Sequence, residues 1–227
     1  MNSNNSVSRH GPIANTLSRN TMYALLARGF RYPEDGAFTH FSDGEFARAI
    51  NEALKICAPG LLDSYEAKYA AGLTVASSID LLISAYLNAF ETNLPEPSVS
   101  LYEGSYHRQG NRPALLIELK GFYSAFGLAV AESDNELEDG ITAELEFMQF
   151  LSAKQAQAED EGLDRKAYLH AQRDFLERHL ATWLPALQAE VLAKLKHPFY
   201  SALTILTTDF VARDWAYVRQ EAAELGL

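Results

Sequence analysis

Apolar residues recur along this chain at intervals of three and four, which is the period of an α-helix and not that of a β-strand. The first such stretch covers residues 13–30, and its predicted core-facing positions are Leu17, Tyr23, Leu26 and Phe30. It ends at Tyr32-Pro33, because a residue before proline disfavours helical backbone angles. Since no hairpin signal or internal repeat interrupts the pattern, it predicts an all-α fold.

Breakers and capping residues divide the remaining helices from one another. Ser42-Asp43-Gly44-Glu45 has the spacing of a capping box and predicts a second helix, which stops before Pro59-Gly60. A short helix over residues 61–71 follows. The next is capped by Ser77 or Ser78, and its predicted core face is Leu81, Leu82, Ala85, Tyr86 and Ala89. Later apolar periods predict helices that begin at Pro113, near Glu136, near Tyr168, at Thr182 and after His197-Pro198.

The longest interruption of the helical pattern runs from Thr92 to Arg112. It joins two predicted helical halves, residues 13–91 and 113–227, in one globular bundle-like domain over residues 1–227 with about eight to ten helices. A connection this long inside a compact domain is typically functional or disordered, and its content of Tyr, Ser and Leu favours order. Because two such halves can exchange between chains, a monomer and a domain-swapped dimer are both open.

Signatures of catalysis and of metal binding are absent from the sequence. The thirteen glycines never fall in a phosphate-binding spacing, and Cys57 is the single cysteine. None of the six histidines has a glutamate three residues before it, which excludes the usual helical di-iron site. Glu144 and Glu146 diverge on a helix and cannot form a local acid–base pair. The sequence therefore predicts no catalytic residue, no metal site and no cofactor.

Composition restricts the class of partner and the cellular compartment that we expect for this protein. The 30 acidic residues outnumber the 19 basic ones and give a net charge of −11, which argues against nucleic acid as a partner. No apolar run approaches the roughly 20 residues needed to span a bilayer, and residues 1–12 lack the apolar core of a secretory signal. A lone cysteine fits a reducing compartment, so we expect a cytoplasmic protein.

Two windows of the chain are rich in carboxylates and contain no Lys or Arg. One lies between Lys68 and Arg108, and the other between Lys120 and Lys154. If they meet in the fold, they form an anionic docking face for a cationic segment; the alternative is a solvated acidic surface. The loop over residues 94–106 combines prolines, tyrosines and carboxylates, which suits peptide binding, although its tyrosines can equally fill the core of a plain connector.

Three stretches of the chain look like a known family. Pro97-Ser98-Val99-Ser100-Leu101-Tyr102 is similar to a Pro-x-x-Ser-Val-Tyr-Leu loop, and the segment from Asp139 to Met148 is similar to Pro-Asp-His followed by Glu-Leu-x-Phe. The C-terminal match consists of Phe175-Leu176-x-x-His179-Leu180-x-x-Trp183 and Pro198-Phe199-Tyr200. In their order and spacing these motifs resemble the TorD/DmsD/NarJ family of molybdoenzyme maturation chaperones. Gly140 stands where the family commonly has histidine, so no role of that histidine carries over.

The resemblance implies a non-catalytic cytoplasmic chaperone. Such a protein binds the apo catalytic subunit of a molybdenum-cofactor redox enzyme, its twin-arginine signal peptide, or both, assists cofactor insertion and delays export. The residues that we expect to bind the partner are Glu91, Pro97, Ser98, Tyr102, Glu103, Tyr106, Asp139, Glu144 and Phe147. Glu91, Glu103 and Asp139 are expected to face the arginines, with Tyr102, Tyr106 and Phe147 on the apolar side. The alternative is a helical enzyme or small-ligand-binding protein with an internal pocket.

Overall fold

Helices account for most of the chain. The computed structural model describes residues 10–75, 78–91, 98–107, 111–129 and 137–227. In that part of the chain the only β-type pairing is an isolated antiparallel bridge between Tyr102 and Gly140. Its ten α-helices, within the predicted number, are α1 (His10–Phe30), α2 (Asp35–Ser42), α3 (Glu45–Cys57), α4 (Leu62–Lys68), α5 (Ile79–Tyr86), α6 (Arg112–Ala125), α7 (Ile141–Glu161), α8 (Lys166–Arg178), α9 (Leu180–Lys194) and α10 (Pro198–Glu224).

The all-α prediction is therefore confirmed. Three short turns complete the described elements: 3₁₀ turns at Pro59–Leu61 and Glu103–Ser105, and a π-helical turn at Leu87–Glu91 directly after α5. None of the helices within the described ranges is long and apolar enough to cross a membrane.

The core forms where the two halves of the chain interlock. Helix α1 packs along α7 and α3, while α10 packs against α8 and α9. The predicted stripe of α7 is fully buried, so that burial of its apolar surface contributes to holding α1 in place. Its members are Ile141, Leu145, Met148 and Leu151. His179, Trp183, Phe199 and Tyr200, which the sequence also allows as packing residues, lie in the same core.

Two predicted core positions are exposed instead. Leu17 on α1 is half exposed, because it lies about 200° around the helix from Arg19, which is buried. Leu81 on α5 is also exposed, whereas its neighbour Leu82 is buried. The other predicted core positions of α1 are fully buried, namely Tyr23, Leu26 and Phe30. The error on this helix is therefore confined to Leu17.

Several helix starts differ from the predicted ones. Ser42 ends α2, a helix that the pattern did not predict, and Asp43 accepts a 2.8 Å hydrogen bond from the backbone N–H of Glu45 at the start of α3. Helix α7 begins at Ile141 and not near Glu136, because residues 137–140 form a turn. Thr182 lies inside α9, where its hydroxyl donates to the His179 carbonyl at 2.7 Å.

A buried polar network around Arg19 fixes α1 to the C-terminal helices. Its guanidinium donates to Asp214 on α10 through Nε at 2.5 Å and Nη2 at 3.0 Å, and to Gln172 on α8 at 2.6 Å. Tyr23 donates to the same Asp214 carboxylate at 2.6 Å. Burial alone would lower the pKa of Arg19, but the charge of Asp214 outweighs it and raises that pKa. The ion pair is therefore charged and almost fully enclosed.

Candidate functional site

The two motif stretches that the sequence singled out lie against each other. The backbone N–H of Glu103 donates to the carbonyl of Asp139 at 2.8 Å, and that of Ile141 donates to Leu101 at 2.9 Å. Tyr102 and Gly140 form the isolated bridge between them. The segment 98–107 is thus held on the N-terminal end of α7.

Asp139 closes this junction as a buried carboxylate that pairs with the half-exposed Arg112. Its two carboxylate oxygens accept hydrogen bonds from Arg112 Nε at 3.0 Å and Nη2 at 3.1 Å, a bidentate arrangement. The N–H of Gly104 donates to the same carboxylate at 3.1 Å. A Cβ at position 104 would lie 2.8 Å from Asp139 Oδ2 and 3.0 Å from Arg112 Cγ, so only glycine fits there without displacing the pair.

Glu103 is a second buried carboxylate with two histidine partners. His179 Nδ1 lies 3.0 Å from Oε2, and His107 Nε2 lies 2.8 Å from Oε1. Burial alone would raise the pKa of Glu103, but the hydrogen bonds and charge of His179, together with His107, outweigh it and hold that pKa below its usual value. Since an ionised carboxylate can only accept, His179 carries its proton on Nδ1 when the ring is neutral.

The pKa of Glu144, one turn into α7, is shifted in the opposite direction to that of Glu103. Its side chain is fully buried, Trp183 donates its indole N–H to Oε2 at 3.1 Å, and Oε1 has no hydrogen-bond partner among the described residues. Burial, and then the charge of Glu103, raise the pKa of Glu144 well above its usual value. Burial and the neighbouring charge therefore favour the protonated form of Glu144, next to a Glu103 whose ionised form is favoured.

A pocket of about 210 Å³ opens on the outer side of these carboxyls. It is lined by Glu103, Gly104, His107, Arg112, Ala114, Leu115, Glu118, Arg178 and His179. At its mouth Arg178 forms an ion pair with Glu118, and the Arg178 guanidinium lies 5.5 Å from the centre of the Phe122 ring. His179 Nε2 lies 3.2 Å from Glu118 Oε1, yet it makes no hydrogen bond within the described part of the chain.

Aromatic side chains support the pocket from behind. Tyr106 stacks on Trp183 at a centroid distance of 5.4 Å. Its hydroxyl lies 2.7 Å from the Ser100 carbonyl and 2.7 Å from Glu190, and can donate to one of them at a time. Phe147 is buried against Tyr123 and Phe175 at centroid distances of 4.9 Å and 4.8 Å.

The structure brings most of the predicted site residues together. Tyr102, Glu103, Tyr106, Asp139 and Glu144 meet at this junction, and Phe147 is buried one turn further along α7. The carbonyl of Ser98 accepts a 2.8 Å hydrogen bond from Lys194. Glu91 is exposed at the end of the π-helical turn, and Pro97 lies outside the described residues. Their roles in partner binding stay predictions.

The expectation that Glu103 and Asp139 face the arginines of a partner is wrong. Glu103 and Asp139 are both buried and already paired within the chain. Other carboxylates of the two acidic windows lie outside the described residues, namely Glu96, Glu132, Asp134 and Glu136. Bases from outside the two acidic windows fold onto them: Arg112 reaches Asp139, and Arg31 reaches Glu146. Counting charges along the chain cannot detect such pairs, because the partners are far apart in sequence.

Of the residues that line this pocket, the sequence predicted only Glu103 as a site residue. It missed Gly104, His107, Arg112, Glu118 and Arg178, and it indicated His179 only as a packing residue. A weak signal was available for Arg112, which immediately precedes the helix-starting Pro113. Nothing in the spacing of the others indicated that they share a pocket.

The described side chains are poorly suited to nucleophilic catalysis or to metal binding. Within the described ranges no group of three His, Cys, Asp or Glu side chains is arranged to hold a metal ion. Burial, with the nearby charge of Asp214, raises the pKa of the Cys57 thiol to about 12, so the thiolate is scarce at neutral pH.

Comparison with known proteins gives a consistent set of similarities. The family model described as nitrate reductase delta subunit matches residues 47–189. A perchlorate reductase assembly chaperone from Dechloromonas aromatica (strain RCB) is 49% identical over 199 residues, which cover 88% of this chain and 89% of that protein. A selenate reductase assembly chaperone from Thauera selenatis is 33% identical over 163 residues, covering 72% and 71%. The crystal structure of a redox enzyme maturation protein from Archaeoglobus fulgidus shares the fold, with a TM-score of 0.53, 19% identity, and coverage of 86% of this chain and 93% of that one.

Proposed function

Because this chain belongs to the nitrate reductase delta subunit family, the TorD/DmsD/NarJ group that its motifs resemble, we propose that it binds the unassembled catalytic subunit of a molybdenum-cofactor redox enzyme. The family consists of non-catalytic assembly chaperones. The client is a reductase of an oxyanion, a class to which both perchlorate and selenate belong. The identity of 49% over 88% of the chain supports this class of client.

We further propose that the chain recognises the client by a twin-arginine signal peptide in the cytoplasm and delays its export until the cofactor is inserted. The observation that carries this proposal is the pocket beside Glu103, where two carboxylates and an unpartnered histidine nitrogen face one small cavity. Glu103 is buried and cannot move towards a ligand, so it contributes its negative charge to the electrostatic potential of the pocket. Glu118 at the mouth is the carboxylate that a guanidinium can reach.

The apolar part of a signal peptide has a surface next to the same pocket. Ala114, Ile117 and Gly121 share one exposed face of α6 at i, i+3 and i+7. Ile117 is 73% exposed, and a Cβ added at Gly121 would meet no atom within 4 Å. This strip of small and apolar residues allows an apolar helix to approach closely, with its arginines at the pocket.

Affinity purification of the tagged chain from its native host, followed by mass spectrometry, tests the proposal. We expect a reductase catalytic subunit with its signal uncleaved, recovered from the cytoplasmic fraction. Ile117→Asp should abolish recovery of the client, whereas Leu192→Asp, at an exposed leucine of α9, should not. Equal recovery with both variants would contradict the assignment of the α6 face. Recovery of a tightly bound small molecule and no client would contradict the chaperone proposal.

A further inference from the structure

Arg178 occupies a site that is built for a guanidinium. It lies at the C-terminal end of α8, where its guanidinium sits 5.5 Å from the centre of the Phe122 ring and pairs with Glu118. Phe122 and Glu118 are four residues apart on α6, so an aromatic face and a carboxylate are presented side by side. Stacking on an aromatic ring combined with a planar carboxylate contact suits arginine and not lysine.

Behind this pair, the floor of the site is formed by a buried histidine. The side chain of His179 is 2% exposed, and its Nε2 has no hydrogen-bond partner among the described residues. Nε2 faces Glu118 Oε1 at 3.2 Å, and the two atoms make no hydrogen bond with each other. Glu118 therefore keeps acceptor capacity for a guanidinium, which has five N–H donors.

We propose that Phe122, Glu118 and His179 form an arginine-binding site in which Arg178 stands in for an arginine of the client and is displaced by it. This inference rests on the proposed function, since it names the residues that receive the arginine of the signal peptide. Arg178 is held only weakly in this site. Its side chain is 55% exposed, that of Glu118 is 36% exposed, and Nε2 of His179 makes no hydrogen bond among the described residues. An exposed ion pair of this kind contributes at most about 1 kcal/mol, so a better-placed arginine can replace it.

The test measures binding of two synthetic peptides to the purified full-length chain by fluorescence anisotropy. Each has 20 residues: one carries two adjacent arginines before a Leu/Ala stretch, and the other carries two lysines there. Arg178→Ala should raise the affinity for the arginine peptide about two- to fivefold, the equivalent of the exposed pair that no longer competes, and leave the lysine peptide unchanged. Glu118→Gln should lower the affinity for the arginine peptide.

Arg219→Ala is the matched control. Arg219 is also an exposed arginine over an aromatic ring, 5.1 Å from the centre of Trp215 on α10, and its removal should change neither affinity. If the wild type binds the arginine peptide and Arg178→Ala binds it equally or more weakly, displacement is refuted, because Arg178 is then a structural residue or a direct contact of the peptide.

A second measurement separates this site from the proposed function. Methylguanidinium should raise the melting temperature of the Arg178→Ala variant above that seen with methylammonium, and should not do so for the wild type or for Arg178→Ala/Glu118→Gln. That result with no peptide binding would support the arginine site and reject signal-peptide recognition. An equal response to both cations would overturn the arginine site itself.

Discussion

Glu103 and Glu144 are buried, neighbouring carboxyl groups whose pKa values are shifted in opposite directions. Glu103 is ionised because His179 and His107 stabilise its charge, and that charge helps to keep the proton on Glu144. Trp183 and Tyr106 cover the pair from the side of α9 and the loop. The stability of the junction between the motif loop and α7 therefore depends on pH in two separable ways.

The first prediction concerns the proton on Glu144. The unfolded chain releases it near the ordinary pKa of 4.5, whereas the folded chain keeps it, so this group destabilises the fold progressively as pH rises above that value. The slope is at most about 1.4 kcal/mol per pH unit. Gln, whose amide N–H₂ replaces the carboxylic O–H, has no such dependence. We expect urea unfolding to find Glu144→Gln close to wild type at pH 5 and more stable at pH 7.5.

Glu146→Gln is the control for this experiment, since Glu146 lies on the same helix and pairs with Arg31 at the surface. Its effect should vary little with pH above 5. A constant difference in stability between wild type and Glu144→Gln across that range would show that Glu144 is ionised in the fold.

The second prediction concerns the charge on Glu103. His179→Leu leaves this carboxylate buried without its main partner, which should cost about 3–5 kcal/mol at pH 7. Because the pKa of Glu103 is lowered in the fold, the stabilisation is present above the ordinary value of 4.5 and is lost as pH falls through the lower folded value. The difference between wild type and variant should therefore shrink in acid.

His107→Ala provides the comparison, because His107 is 38% exposed and its contact with Glu103 is partly solvated. We expect it to cost less than about 1 kcal/mol. Denaturant titrations at pH 7 and pH 4 measure both variants. Equal losses for the two histidines would mean that burial of His179 contributes nothing to the pair.

The third prediction concerns Arg19 and Asp214. Asp214→Ala should destabilise the chain by about 3–5 kcal/mol, because it leaves a charged arginine buried in the core. Tyr23→Phe removes only a hydrogen bond to the same carboxylate and should cost about 1.5 kcal/mol. The double variant Arg19→Met/Asp214→Leu should recover much of the loss in urea unfolding. No recovery would indicate that the shape of the network, and not its charge, determines stability.

The fourth prediction concerns Gly104. Alanine there places a Cβ 2.8 Å from Asp139 Oδ2 and should break the bidentate contact with Arg112. We expect weaker client binding with unchanged helix content by circular dichroism. Gly11→Ala is the matched substitution, since its Cβ would meet nothing within 4 Å, and it should leave binding intact. Full binding by the Gly104 variant would show that the loop tolerates loss of the ion pair.

The helical period predicted the fold well where a helix buries a regular apolar stripe. The stripe of α7 is the clearest example, with Ile141 and Leu151 at its ends. On α1 the period correctly placed Tyr23, Leu26 and Phe30 in the core. It missed the buried Thr16 and Arg19, because a polar residue counts against burial in any apolar pattern. Helix α2 was missed because eight residues span barely two turns and give a weak period.

The sequence predicted which backbone segments form the candidate site, but not which charged side chains pair there. The resemblance identified the segments of Tyr102 and Asp139, and these two segments are in contact. The partners of the carboxylates come from distant positions: His179 is 76 residues from Glu103, and Arg112 is 27 residues from Asp139. Such pairs are selected by tertiary packing, which leaves no periodic signal in the sequence.

The pairing of Arg19 with Asp214 has a consequence for how the chain is made. The two residues are 195 positions apart, and Tyr23 donates a hydrogen bond to the same Asp214 carboxylate. At a synthesis rate of about 5–20 residues per second, α1 is complete roughly 10–40 s before α10 leaves the ribosome. During that interval Arg19 and Tyr23 lack the carboxylate that pairs with them, although α3 and α7, the main packing partners of α1, are made before α10. Completion of the buried polar network is therefore a late step, and nascent chains are open to aggregation or to a shielding factor until α10 arrives.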